Sequence, residues 1–297
     1  MKTDWIAVDW GTSNLRAWAM GQGGILAHAA SDDGMGSLDR DGFEPALLRL
    51  ITPWLTADRT EVIACGMVGS RQGWFEAPYR ATPCTPLDSA SLVTAPSRDT
   101  RIAVRLIPGL KQAKPADVMR GEETQIAGVL ALNPGFDGVI CLPGTHSKWV
   151  HVSAGEVVSF QTFMTGELFA LLSTQSVLRH GMTGGDWDDA AFDTALSDTL
   201  SRPERIGAKL FGLRAEGLIA GLDAGAARAR LSGLLIGVEL AASKPFWLGQ
   251  EVAIVGSEAL AKSYARALVT QGASPRLVPA TDATLAGLTA ARAQVTA

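Results

Sequence analysis

No block of basic residues occurs anywhere in the chain, and its 26 Lys and Arg are outnumbered by 30 Asp and Glu, for a net charge of −4. Binding to nucleic acid by neutralising a run of phosphates needs a clustered positive face, so that class of partner is disfavoured. A small anion held by a few local Arg or Lys residues remains compatible with this charge. Cysteine is equally scarce. Cys65, Cys84 and Cys141 are odd in number and share no metal-type spacing, so free thiols in a reducing compartment are expected rather than a disulfide framework. Long apolar runs are missing too: none reaches the roughly 20 residues needed to cross a bilayer. The N-terminus runs at once into a strand and lacks a basic-then-apolar leader. A cytoplasmic protein without a membrane partner is the expectation. What is present is 47% hydrophobic residues against 19% charged, the balance of a well-packed globular protein. Its 297 residues suggest about two domains on a prior of roughly 150 residues each.

A repeated motif supports two domains. The stretch Ile6-Ala7-Val8-Asp9-Trp10-Gly11-Thr12-Ser13-Asn14 returns in outline 133 positions later as Val139-Ile140-Cys141-Leu142-Pro143-Gly144-Thr145-His146-Ser147. In each copy an apolar strand enters a Gly-Thr turn with small polar residues, and a second strand follows. Two such hairpins facing each other would hold an anionic chain between turn amides and hydroxyls, as phosphate-cradling loops do. Two buried strands that merely end in Gly-Thr are the plainer explanation. The repeat is asymmetric: Leu142 stands where the first copy has Asp9, so a single carboxylate beside a phosphate pocket suggests a place for Mg²⁺.

The spacing predicts strands over 4–10, 14–20 and 25–30, with Gly21-Gln22-Gly23-Gly24 as a tight reversal. Phe43, Leu47, Leu50, Ile51 and Trp54 mark a helix over 42–55, and 62–65 reads as a short buried strand. The Gly- and Pro-rich segment 66–86 reads as an ordered loop, 92–106 as further strands, and 117–132 as a helix stopped by Asn133-Pro134-Gly135. The order then restarts: strands over 139–142, 148–152 and 156–162, a helix from Glu167, a mainly helical insertion from Ser173 to about Gly221, and a long helix carrying Leu231, Leu234, Leu235 and Val238. A strand over 252–255 leads to a helix capped by Ser257 and stopped at Gly272. A short strand over 276–279 and a helix over 283–292 close the chain. A strand triplet followed by alternating helices and strands, used twice, implies a pseudo-symmetric pair of α/β domains around a cleft, 1–133 and 134–297.

The Asp-x-Gly-Thr-Ser hairpin, the second Gly-Thr hairpin and the late strand–Val-Gly-Ser–helix resemble the two phosphate motifs and the adenosine motif of the acetate/sugar kinase–heat-shock–actin superfamily. More narrowly, the chain resembles the 2-keto-3-deoxygalactonokinase family over essentially its whole length. The matching segments are 66–74 (Gly-Met-Val-Gly-Ser-Arg-Gln-Gly-Trp), 120–125 (Arg-Gly-Glu-Glu-Thr-Gln), 142–149 (Leu-Pro-Gly-Thr-His-Ser-Lys-Trp), Gly166-Glu167-Leu168, 213–218 and 255–260. The resemblance implies two RNase H-like, actin-like ATPase domains, the first with a sugar-acid loop and the second with the helical insertion and adenosine site. It implies ATP and Mg²⁺ as cofactors, and phosphorylation of 2-dehydro-3-deoxy-D-galactonate at its 6-hydroxyl in galactonate breakdown. The superfamily's second phosphate loop usually opens on an acidic residue, whereas this chain has Leu142-Pro143, which leaves more of the metal role to Asp9.

The candidate residues each have an ordinary alternative. Asp9 ends an apolar strand, where a carboxylate is costly unless it is hydrogen-bonded or faces a cleft; it reads as the Mg²⁺ ligand or as a turn cap. Gly11, Thr12, Ser13 and Asn14 suit phosphate oxygens, but the same types are common in turns. Gly144, Thr145, His146, Ser147 and Lys148 offer amides, hydroxyls and one cation. Lys148 reads as a phosphate ligand or a solvated strand Lys, and His146 more as a hydrogen-bonding turn residue than a base. Gly256, Ser257 and Glu258 would admit a flat base or a ribose, since Gly256 has no side chain, or would form an ordinary strand-to-helix turn. On a helical wheel at about 100° per residue, Glu122 falls in the middle of the apolar stripe of Val118, Met119, Ile126, Val129 and Leu130, and Glu123 at its edge. A partly desolvated carboxylate holds its proton more tightly and suits a general base, so Glu122 is the first candidate and Glu123 the second, against a core-edge Glu held by Arg120. Arg71 would grip the substrate carboxylate in two-point fashion, with Ser70 and Gln72 beside it and Trp74 flanking the C3 methylene. A surface Arg beside a packed Trp is its alternative. Asp186-Trp187-Asp188-Asp189 reads as a solvated helix start.

The expected function is therefore an ATP-dependent sugar-acid kinase, with ATP and a small sugar acid as its partners and a homodimer compatible. A kinase of a related keto-deoxy sugar acid is one alternative. A phosphoanhydride hydrolase of exopolyphosphatase type, in which the same glutamate would activate water, is another. A nucleotide-switch or filament protein is disfavoured by the short chain and the lack of a long exposed apolar stripe.

Overall fold

In the computed structural model, which describes residues 2–296, the chain divides into two compact units. The first takes the chain up to Asp137, the segment Val152–Ser159 and everything from Ala280 onward. The second comprises Gly138–His151 and Phe160–Pro279.

In the first unit β1 (Trp5–Trp10), β2 (Leu15–Gly21) and β3 (Gly24–Ser31) form an antiparallel meander. The two-residue reversal at Gln22-Gly23 pairs Gly21 with Gly24. Helix α1 (Phe43–Ile51) follows and stops earlier than its apolar spacing predicts. Pro53 diverts the chain there into a 3₁₀ turn over Thr52–Trp54, since proline cannot continue a helical ladder. Strand β4 (Thr60–Gly66) returns parallel to β1, with Asp9 opposite Cys65 and Trp10 opposite Gly66. The short strands β5 (Arg80–Ala81), β6 (Val93–Thr94), β7 (Ile102–Leu106), β8 (Leu110–Gln112) and β9 (Asp117–Met119) lead to α2 (Glu122–Leu132). The main sheet has the order β3-β2-β1-β4-β7-β6, and β5-β8-β9 form a separate small sheet.

Where the spacing predicted one helix over 117–132, residues 117–119 are a strand instead. Gly121, with φ at +102°, breaks the chain between the two. That is a left-handed conformation which glycine adopts without a steric penalty.

The second strand set is β10 (Gly138–Leu142), β11 (Ser147–Ser153) and β12 (Glu156–Phe163), of which Val152–Ser159 groups with the first unit, and α3 (Thr165–Thr174) follows. The insertion consists of α4 (Asp189–Ser201) and α5 (Ile206–Ile219). Helices α6 (Ala224–Ala242) and α7 (Lys244–Trp247), strand β13 (Val252–Gly256), helix α8 (Glu258–Val269) and strand β14 (Arg276–Pro279) follow. The sheet order is β12-β11-β10-β13-β14, with β10, β13 and β14 parallel. Counted from its first strand, the order opens 3-2-1-4 as in the first unit, so the repeat seen in sequence is a repeat of topology over those four strands. Ser257 precedes α8, but its side chain makes no capping hydrogen bond.

The last helix, α9 (Ala280–Thr296), belongs to the first unit rather than the second. Its Ala283 carbonyl sits so close to Gly128 that a Cβ there would lie 1.8 Å away, and Gly287 meets the Thr124 carbonyl in the same way. Thr284 also accepts a hydrogen bond from Gln125 Nε2 at 3.2 Å. Small residues on both helices thus let α2 and α9 pack backbone to backbone.

Each face of the first sheet is covered. Ile6, Val8, Trp10, Phe43, Leu47 and Trp74 pack on the α1 side; Ala7, Trp18, Ile63 and Leu288 pack on the α9 side. Burial on both faces is why β1 reads as a nearly unbroken apolar run. Asp9 is the one residue in it that is not fully buried.

Candidate active site

In the first unit the chemistry gathers at the carboxyl ends of β1 and β4, the end at which open α/β sheets hold ligands. Asp9 keeps 18% of its side chain exposed and forms an ion pair with Arg16 Nη2, its direct cross-strand partner. Arg16 also reaches Thr281 Oγ1 at 3.4 Å. The buried Cys65 thiol approaches Asp9 Oδ1 at 3.8 Å. Burial pushes that thiol well up, and the nearby charges of Asp9 and Glu123 push it further, so it remains an un-ionised packing group.

The first Gly-Thr turn is braced by the chain that follows β3. The Gly11 amide donates to the Asn14 carbonyl at 2.9 Å, and the Met35 and Gly36 amides donate to Gly11 and Thr12 at 3.0 and 2.9 Å. The Gly11 amide is therefore spent within the turn. Thr12, Ser13 and Asn14 stand exposed at its tip, with Asn14 Nδ2 donating to Asp32 Oδ1 at 3.1 Å.

The two glutamates at the start of α2 reverse their expected burial. Glu123 is fully buried, and Glu122 is half-buried. Helix α2 is buried on a second face as well, through Thr124, Ala127 and Gly128 against α9, and Glu123 falls between that face and the apolar stripe. Glu123 accepts the Gly121 amide at 2.7 Å and the Thr124 hydroxyl at 3.2 Å. Burial first, then the neighbouring Glu122 charge, pushes its carboxyl up to about 8. Glu122 accepts the Arg120 amide at 3.0 Å. A base must reach the proton that it removes, and of the two only Glu122 is open to a ligand.

The loop after β4 divides its predicted residues. Arg71 and Gln72 are exposed and Ser70 is buried. Trp74 is not available to flank a substrate. Its ring is 4% exposed, packed edge-on against Trp10 in the core, and its Nε1 donates to the Pro96 carbonyl at 3.1 Å. Arg120, read from sequence only as a partner for Glu122, is buried with Tyr79 4.3 Å from its guanidinium carbon.

In the second unit the Gly144-Thr145-His146 turn is exposed or half-exposed, whereas Ser147 and Lys148 are buried. The solvated reading of Lys148 is thereby excluded. Gly166 at the start of α3 lies against the turn: a Cβ on it would fall 2.2 Å from the Gly144 carbonyl oxygen. The Glu167 amide donates to the Thr145 carbonyl at 2.9 Å, and its carboxylate sits 2.6 Å from His146 Nε2. His146 is thus a hydrogen-bonded turn residue, held by a glutamate that the sequence reading did not select.

Beneath this turn Glu239 of α6 is buried and fully engaged. Trp149 Nε1 and the Tyr264 hydroxyl each donate to it at 2.8 Å, and the Thr165 hydroxyl donates as well. Tyr264 in turn lies 2.9 Å from Ser147 Oγ. Burial raises the Glu239 carboxyl, and its hydrogen-bond donors oppose that rise. One network therefore joins β11, α3, α6 and α8 under the Gly-Thr turn. The only trace of it in sequence is an acidic residue set among the apolar residues of a long helix.

A cavity of about 770 Å³ opens beside the turn, with Gly144, Thr145, Thr165, Ser257, Trp187 and Tyr264 among its lining. Gly256 packs on Pro143, where a Cβ would lie 3.2 Å from Pro143 Cγ, so β13 meets the turn with no side chain between them. Glu258 is exposed and pairs with Lys262 at 2.6 Å. Asp188 caps α4 through the Ala191 amide at 2.9 Å, as a helix start should, but Trp187 and Asp189 line the cavity rather than facing bulk solvent alone.

Comparison with known proteins matches residues 9–291 to the sequence model of 2-keto-3-deoxy-galactonokinase. A Rhizobium meliloti protein described as a probable 2-dehydro-3-deoxygalactonokinase is 41% identical over 292 residues, covering 96% of this chain and 95% of that one. The 2-dehydro-3-deoxygalactonokinase of Escherichia coli is 33% identical, covering 97% of each chain. Among solved structures, one assigned to 2-dehydro-3-deoxygalactonokinase from Sinorhizobium meliloti superposes with a TM-score of 0.90 at 39% identity, covering 97% of each chain. The ADPNP-bound activator of 2-hydroxyisocaproyl-CoA dehydratase from Clostridium difficile superposes with a TM-score of 0.54 at 13% identity, covering 98% of this chain and 95% of that one. That likeness concerns the fold alone, which is the actin-like ATPase fold that the resemblance implied. On the strength of a match running nearly from end to end, the chain belongs to the 2-keto-3-deoxy-galactonokinase family.

Proposed function

We propose that this chain uses ATP to phosphorylate 2-dehydro-3-deoxy-D-galactonate at its 6-hydroxyl, giving the 6-phosphate and ADP in galactonate breakdown. The observation that carries the reading is the full-length similarity to proteins of that name in two organisms. Phosphoryl transfer asks of a protein mainly positioning and neutralisation of charge, and the residues divide along those lines. Gly144 and Thr145 take phosphate oxygens, with Ser257 on the adenosine side of the same cavity and Gly256 and Glu258 flanking it in sequence. Lys148, Ser147 and His146 support that turn. In the first unit Thr12, Ser13 and Asn14 present the second set of phosphate contacts, on a turn closed by Gly11.

Asp9 is the only carboxylate in the two hairpins, and no group of three metal-type side chains occurs among the described residues. That fits Mg²⁺, which keeps most of its waters and is held by one or two carboxylates plus substrate phosphates. When bound, the ion would offset phosphate charge, and Arg16 fixes the direction of the carboxylate that would face it. Glu122 receives the proton of the attacking hydroxyl. Glu123, sealed beneath it, ties down the Gly121 turn and so positions Glu122. Arg71, with Ser70 and Gln72, takes the substrate carboxylate.

The test is mass-spectrometric detection of phosphorylated product when the protein is incubated with ATP and a panel of deoxy-keto sugar acids, including both C4 epimers. The galacto acid is expected to react and to stimulate ADP release strongly. Equal ADP release with and without any sugar acid would instead support the phosphoanhydride hydrolase reading.

A further inference from the structure

The cavity of the second unit has two kinds of wall. Gly144, Thr145 and Ser257 offer polar groups, while Trp187, Phe169 and Leu260 give it apolar faces. Its cations are already matched: Lys262 pairs with Glu258, and Arg266 with Asp189 and Asp193. An apolar wall whose neighbouring charges are neutralised fits a flat, uncharged aromatic group. We infer that Trp187, contributed by the helical insertion, is the stacking face for the adenine ring, an assignment that rests on the kinase reading above.

Trp187 is 45% exposed, whereas Trp5, Trp10, Trp18, Trp74, Trp149 and Trp247 are each 8% exposed or less. Its place is nevertheless fixed. The indole Nε1 donates to Asp189 Oδ1 at 3.0 Å, so the polar edge is satisfied and the ring face is left for contact. Phe192 backs the ring with centroids 5.9 Å apart. Arg266 Nη1 holds the same Asp189 at 2.9 Å, which ties the segment to the helix beginning after Ser257.

The backbone is gripped from the other side. The Asp186 carbonyl fills the space a Cβ on Gly225 would need, lying 1.6 Å from it. Helix α4 packs on α6 at Gly233 and Gly237 in the same manner, and Thr199 Oγ1 donates to the Leu234 carbonyl at 2.8 Å. The insertion thus presents a rigid aromatic wall, and a wall set before the ligand arrives loses little entropy on binding.

Trp187 also provides the test, since it is the most exposed indole among the described residues. ATP is expected to change the tryptophan emission of the full-length protein, and inorganic tripolyphosphate to leave it unchanged. In Trp187→Phe the emission change should vanish while calorimetric ATP affinity stays within a few-fold, because a phenyl ring still stacks. In Trp187→Ala ATP affinity should fall about tenfold, the scale of one base–aromatic stack, with tripolyphosphate affinity unaltered. Unchanged ATP affinity in Trp187→Ala, or an emission change that survives in Trp187→Phe, overturns the assignment while leaving the kinase reading in place. Failure of the unaltered protein to bind ATP overturns both.

Discussion

Asp9 and Arg16 face each other across the first hairpin, and the guanidinium holds the carboxylate in an ion pair at the rim of the sheet. Both side chains are partly exposed, so the pair contributes little stability, on the order of 0–1 kcal/mol. Its effect is directional: it aims a carboxylate that the strand pattern brings to the end of β1. Asp9→Asn is therefore expected to keep the thermal midpoint within a few degrees while lowering sugar-acid phosphorylation by at least roughly 10²-fold, as loss of a charge-stabilising group does. Circular dichroism melts and a coupled ADP assay measure the two effects. Retained turnover would remove Asp9 from the mechanism.

Glu122 and Glu123 should separate cleanly. Glu122→Gln is expected to lower kcat by about 10²–10⁴-fold, the range for loss of a general base, with little change in melting.

Glu123→Gln should act on stability through pH. The buried carboxyl is raised from 4.5 to about 8, so the folded chain keeps a proton that the unfolded chain gives up. Stability is then fully present below about pH 4.5 and is lost as pH rises toward 8. The unaltered protein should lose more of its thermal midpoint between pH 5 and pH 8 than Glu123→Gln does, as melts at the two pH values would show. Parallel slopes would rule out a raised carboxyl.

Arg71→Ala is expected to raise the KM for the sugar acid by about 10–100-fold, the scale of a charge-assisted two-point contact. The KM for ATP should not move. A rise in the ATP value alone would reassign the loop.

Glu239→Gln removes one acceptor oxygen from a site where three donors converge. A buried donor left unpaired costs about 1–3 kcal/mol, and urea unfolding should show a loss of that size. The ATP KM should rise with it, because Tyr264 and Thr165 would lose the group that fixes them under the Gly144-Thr145 turn.

Gly166→Ala tests the same turn from its other side. The added methyl would meet the Gly144 carbonyl, and overpacking of this kind costs about 1–3 kcal/mol. A several-fold rise in the KM for ATP, with that for the sugar acid unchanged, is the expected kinetic result.

Much of this molecule is legible without coordinates, because strand alternation, glycine turns and apolar spacing are local properties. The two strand triplets and the reversal at Gln22-Gly23 follow from short stretches of chain, as does the position of Asp9 at a strand end. The Gly-Thr repeat could be recognised because both copies keep the turn and the apolar strand before it. The departures arose where packing does not follow apolar spacing. The small residues Thr124, Ala127 and Gly128 form a packed face under α9 that an apolar stripe leaves out, so Glu123 is enclosed although the stripe centres nearer Glu122. Trp74 looked like a ligand contact because its loop neighbours are polar, yet its ring completes the core around Trp10.

By itself the sequence determined the duplicated α/β plan, the family and the single acidic residue of the two hairpins, since each is written in contiguous residues. Tertiary structure alone decided which glutamate is sealed and which is open, that Glu239 underpins the second turn from 92 positions beyond Ser147, and that the insertion lends Trp187 to a cavity. Those facts depend on burial and on contacts between distant segments, and no local spacing encodes which side chains will share one desolvated site.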